Sequence, residues 1–221
     1  PEPKPPALTG AAALFPPEQT AALQAPIWRL RSQLNRLLAE HVVLVEDLTR
    51  SAVPNAPDFT AAGQIINGNN PDLAAAVDSL FGAPAAKDFQ SLWAYHVEQL
   101  TAYSSATAAQ DNARRDQART DLREFEARIA AFLESATGKR ISSGSLATAM
   151  QSHDQMLMRH ADAFAAKDYS TAQQIAHEAY AHMLDLSREL ADAIGATAAA
   201  RLPVGGAQTG YGGMAGIVER R

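Results

Sequence analysis

Three of the six histidines in this chain, His41, His96 and His153, recur at separations of 55 and 57 residues, and all three lie in apolar runs. The runs are LLAEHVVLVEDL, WAYHVEQLTAY and AMQSHDQMLMRH. On a helix of about 3.6 residues per turn, the positions three, four and seven away share a residue's face. Around His41 these are Leu34, Leu37, Leu38, Val45 and Leu48; around His96 they are Phe89, Leu92, Trp93, Leu100 and Tyr103. Around His153 they are Leu146, Ala149, Met150, Leu157 and His160. Each imidazole is therefore expected to point into a packed interior.

A buried neutral imidazole carries one donor and one acceptor, and leaving either unpaired costs about 1–3 kcal/mol. In an antiparallel helical hairpin, the residue level with each histidine lies about as far beyond the turn as the histidine lies before it. That register selects residues 71–73, 124–126 and 181–183, and so offers Asp72, Glu124 or Glu126, and His182 as partners. One reading makes His41, Asp72, His96, Glu126, His153 and His182 ligands of a divalent metal, because imidazole and carboxylate together suit Zn, Fe, Mn or Cu. A copper variant draws on Met150, His153, Met156, Met158 and His160. The alternative reading makes the histidines core hydrogen-bond locks that set the register between hairpins. The chain lacks the Glu-x-x-His pairs of ferritin-like proteins and the His-x-x-x-His of hemerythrins; Glu178 and His182 form its one comparable pair.

The elements that must hold these side chains follow from the punctuation. Pro54 and Pro57, Gly82 and Pro84, Gly138 to Gly144, and Gly195 mark breaks between helical stretches. Six helices are expected near residues 27–51, 58–81, 85–108, 111–137, 144–166 and 168–195, the second interrupted at Asn67–Pro71. They pair into three hairpins, at about 27–82, 85–138 and 144–195, that repeat roughly every 56 residues. Asp58, Asp111 and Asp168 follow the histidines by 17, 15 and 15 residues and read as helix N-caps. DFTAAGQI, from Asp58, is similar to DYSTAQQI, from Asp168, as a duplicated hairpin would be. The expected fold is all-α, an up-down bundle of about six helices spanning 27–196. Six helices exceed what one four-helix core accommodates, so one hairpin is expected to pack outside it. Tyr95, Tyr103, Tyr169, Tyr180 and Trp93 are expected to cluster in the interior.

Outside the bundle, residues 1–26 hold seven of the twelve prolines and read as an extended arm. Residues 197–221 form a Gly-rich tail. Both tails are candidates for wrapping a protein partner. The opening PEPKPPALTG reads as the start of a processed chain whose signal peptide has been removed.

Composition excludes several classes. Hydrophobic residues reach 47% while aromatics supply 6%, which suits Ala- and Leu-rich helices rather than β-sandwiches. The formal net charge of −5, with Lys and Arg scattered, offers no basic face for nucleic acid. The absence of cysteine removes disulfides, thiolate ligands and thiol nucleophiles. No nucleophile elbow, phosphate loop, dinucleotide turn or His-Glu-x-x-His helix occurs, so the residues nominate no catalytic mechanism.

The LLAEHV and LWAYHV helices, the Asp-aromatic helix starts and EAYAHMLDL together resemble a little-studied family of secreted bacterial all-helical proteins built from repeated hairpins. The resemblance covers residues 28–195. It implies export and a helical repeat, and it implies no reaction. The expected function is that of a non-enzymatic, extracytoplasmic bundle that binds a divalent metal through interior ligands; the alternative is a structural or accessory subunit whose tails hold a partner.

Overall fold

A computed structural model describes residues 26–53 and 56–200; the expected Pro-rich arm and most of the Gly-rich tail lie outside the described residues. Six helices follow one another: α1 (Pro26–Ala52), α2 (Phe59–Phe81), α3 (Ala83–Ala108), α4 (Asn112–Ala136), α5 (Ser143–Ala165) and α6 (Tyr169–Ala200). Among the described residues there is no strand, and no helix is long and apolar enough to cross a membrane.

Each helix packs on the next in the chain, and α6 returns to pack on α1, so the six close into a ring. The odd-numbered helices also touch one another, α1 with α3, α3 with α5 and α1 with α5. The result is two layers. Helices α1, α3 and α5 form an inner triangle, and α2, α4 and α6 each fill the outer groove between two inner helices. No hairpin sits outside the core; the three hairpins share one axis. This corrects the expectation drawn from four-helix bundles, because three inner helices in contact make a narrower core than four around a square.

The inner helices carry the periodic apolar faces read from the sequence. Leu37 and Leu38, Leu92 and Trp93, and Met150 are all buried on one side of the histidines, and Val45, Leu100 and Leu157 on the other. Above these come Leu48, Tyr103 and His160, one residue from each inner helix, again all buried. The outer helix α4 turns Leu122, Phe125 and Ile129 inward at 0% exposure, buries Glu126 beside them, and leaves the pair Glu124–Arg128 outside. Tyr169 and Tyr180 are exposed and Tyr103 packs in a separate buried group with Ala118 and Ala161, so the expected interior aromatic cluster does not form; Trp93, with a half-buried Tyr95, belongs to the main core.

Three local expectations are corrected. Helix α2 is continuous through Pro71, because Asn69, Asn70 and Leu73 are buried and tie that turn to the body, with the Asn69 amide donating to the Leu37 carbonyl at 3.3 Å. Helix α6 runs through Gly195 to Ala200, fastened by Thr197, whose hydroxyl is 2.6 Å from the Thr137 carbonyl. Asp111 and Asp168 cap their helices by accepting from the Arg114 and Thr171 amides, but Asp58 has helical dihedrals and pairs with Arg50 instead.

Candidate metal centre

The inner triangle brings one histidine from each of its helices to the axis. The ring centroids of His41, His96 and His153 are 5.5, 6.2 and 5.9 Å apart, close to an equilateral triangle. All three residues are fully buried, and each offers a nitrogen within 4.8 Å of the other two. A point equidistant from three atoms at that spacing lies about 2.8 Å from each, so inward shifts of about 0.7 Å reach the Zn–N distance of 2.0–2.1 Å. Rotamer adjustment of the rings covers such a shift.

Hydrogen bonding within the site is one-sided. His96 Nε2 lies 2.7 Å from Asp154 Oδ1, and Phe125 stacks on the ring face at 4.2 Å. His96 Nδ1 has no hydrogen-bond partner among the described residues. Trp93 Nε1 donates to His41 Nδ1 at 3.3 Å, while His41 Nε2 has no partner. Neither ring nitrogen of His153 has one. Four buried imidazole nitrogens are thus unsatisfied at the bundle axis, each at a cost of about 1–3 kcal/mol.

Burial sets the protonation states. It holds His41 and His153 well below the ordinary histidine range, with the neighbouring imidazoles adding to the effect, and lowers His96 to about 3. All three are neutral near pH 7, the state in which imidazole ligates metals. Burial also pushes the Asp154 carboxyl well above its usual range. Glu126, nearly buried on α4, is raised to about 7 by burial and by the adjacent Asp154. Two acidic groups therefore stand beside three neutral imidazoles in an otherwise apolar core.

Of the six residues selected from the sequence, His41, His96 and His153 converge. Glu126 reaches the edge of the site through Asp154 rather than the axis. The His182 ring stacks on His153 at 6.5 Å, but it is half-buried and its Nε2 lies 3.0 Å from the Ala149 carbonyl. Asp72 is exposed on α2 and stays outside the cluster. Met156 and Met158 are half-buried, and His160 is buried a layer away. Asp154 was not among the selected residues, although a signal for it exists. It follows its histidine where the other two repeats have Val42 and Val97, so an acid stands at a position that is otherwise apolar and buried.

The residues present fit a transition-metal ion: an all-imidazole donor set whose nitrogens lie within 4.8 Å of one another, four of them unpartnered among the described residues, and a carboxyl group on one of the three rings. A bound ion would supply a Lewis-acid centre held by His41, His96 and His153. Comparison with protein-family models, curated proteins and solved structures returns no match, so the geometry of the chain itself carries the functional argument.

Proposed function

We propose that this is a non-enzymatic, extracytoplasmic helical-bundle protein that binds one divalent transition-metal ion through His41, His96 and His153. The observation that carries the reading is the convergence of three fully buried imidazoles on the bundle axis with four ring nitrogens unpartnered. A set of core locks would pair those nitrogens, whereas the His153 ring makes no hydrogen bond among the described residues. The extracytoplasmic placement rests on the resemblance alone. An all-imidazole set suits Zn, Cu or Fe(II) better than Mn, which prefers oxygen donors.

Charge supports the same reading. A divalent ion in an apolar core needs counter-charge, and Asp154 and Glu126, both raised toward their neutral forms by burial, provide it by releasing a proton as the ion enters. Ionised Asp154 accepts from His96 Nε2 and leaves the Nδ1 lone pair free for the ion, the arrangement by which carboxylates orient metal-bound histidines. The Trp93 contact is the one bond that opposes binding. A cation at His41 Nε2 requires the ring proton on Nδ1, so the 3.3 Å bond from Trp93 must open.

The test is elemental analysis of untagged protein reconstituted with Zn, Cu or Fe(II), with melting curves recorded with and without chelator. Wild type is expected to hold about one ion per chain, and metal at 100 times Kd adds about 2.7 kcal/mol of stability. In a chain of this length that is a rise of roughly 5–10 °C in Tm. His96→Ala, shown to be folded by circular dichroism, is expected to lose both the ion and the chelator response. Wild type that takes up no metal under any of these conditions overturns the reading.

A further inference from the structure

An apolar cavity of about 50 Å³ lies inside the bundle on the side of the histidines where α1 begins and α6 ends. Its inner end is lined by Leu38, Trp93 and Met150, which precede His41, His96 and His153 by three residues each. Three residues of helix span about 4.5 Å, so the cavity ends one side-chain layer below the imidazoles. Its outer end reaches Leu80, which is 37% exposed, together with Phe81 and Ile194 at the mouth of the bundle. All six helices contribute to the wall, and no lining side chain is polar.

The opposite side of the histidines is closed along the axis. Val45, Leu100 and Leu157 form one buried layer, and Leu48, Tyr103 and His160 form the next. There the Tyr103 hydroxyl is held by Asp162 at 3.0 Å and by Arg115 and Arg119 at 2.9 Å. Arg115 also pairs with Asp162 at 2.7 Å, so this end is locked by a polar network while the cavity end is lined by side chains that can move. Met150, unbranched and flexible, sits between the cavity and His153.

Resting on the metal reading above, we infer that the cavity admits a small uncharged ligand, of two or three heavy atoms, to the coordination position that three histidines leave open on the ion. Size and chemistry both select this class. A cavity that accepts a benzene ring measures about 150 Å³, so a volume of about 50 Å³ excludes rings and suits a diatomic. An ion or strongly polar solute would shed its hydration against the apolar wall with nothing to replace it. A neutral diatomic sheds almost none. Three protein ligands with one position open is also how metal centres that take an exogenous ligand are built.

Carbon monoxide on the Cu(I)-loaded full-length protein, followed by infrared absorption, tests the inference. Wild type is expected to show a single C–O stretch of a bound adduct. Two variants narrow the cavity: Ala76→Leu within its wall and Leu80→Trp at its exposed rim, where added bulk is tolerated. At least one of them is expected to bind copper as wild type does while taking up carbon monoxide at least tenfold more slowly. Copper uptake without an adduct in wild type, or an adduct that forms at the wild-type rate in both narrowed variants, overturns the cavity assignment and leaves metal binding standing. Failure to bind copper, zinc or iron overturns both readings together.

Discussion

Asp154 occupies a position where His41 and His96 are followed by valine, and its carboxyl meets His96, the one histidine of the three with an acidic partner. Asp154→Asn keeps the volume and a hydrogen-bonding group but cannot supply charge. It is expected to weaken metal binding by about 10–100-fold without unfolding the bundle, as read by competition with a chromophoric chelator. Glu126 gives a prediction in pH. Its folded pKa, about 7, lies above the ordinary value of 4.5, so the folded state binds the extra proton. Stability of the metal-free protein therefore falls as pH rises from about 4.5 through 7, and Glu126→Gln removes that loss. The variant is expected to melt higher than wild type at pH 8, with the gain gone at pH 4.5. The histidines act in the opposite sense. Their pKa values are lowered by folding, so acid destabilises the protein as pH drops below about 6.5, where the unfolded imidazoles take up protons first.

The ends of α3, α4 and α5 close in the same way. Helix α3 ends with Gln110 at φ 56° and α5 ends with Lys167 at φ 61°. The same two backbone bonds close both ends, Gln110 to Thr107 with Asp111 to Ala106, and Lys167 to Phe164 with Asp168 to Ala163. Helix α4 closes identically around Gly138, at φ 60°. A lysine in the left-handed region is strained, so Lys167→Gly is expected to stabilise by about 0.5–1 kcal/mol, a rise of a few degrees in Tm. Gly138→Ala is expected to cost at least about 1 kcal/mol, because strain is joined by collision. Its Cβ would lie 2.8 Å from Thr197 Cγ2, on the side chain that ties α6 to the α4 turn. Glycine and aspartate signals located these turns in the sequence. The interior Pro71 misled because the helix rule is local, while the buried Asn69 beside it bonds across to Leu37 and Glu40 of α1.

At the scale of the molecule, the return of α6 onto α1 closes the ring, with Arg31 pairing with Asp192 and Ser187 bonding to Asn35. His41, His96 and His153 sit on three helices that all touch, so an ion held by them would cross-link the whole inner layer. Metal addition is expected to slow amide hydrogen exchange around residues 41, 96 and 153 together, read by mass spectrometry. Slowing confined to one hairpin would argue for a different site. The sequence alone determined the helices and the inward direction of His41, His96 and His153, because helical periodicity and turn chemistry act over a few residues. It also offered Asp72, Glu126 and His182 as candidate ligands in the bundle interior beside the three histidines, without deciding which of the six meet. Only the tertiary structure decided that the three odd helices pack against one another, and so that their histidines meet while Asp72 faces solvent and His182 bonds to a backbone carbonyl. The order of helices around an axis is set by contacts between residues about 55 apart or more, which no local period encodes.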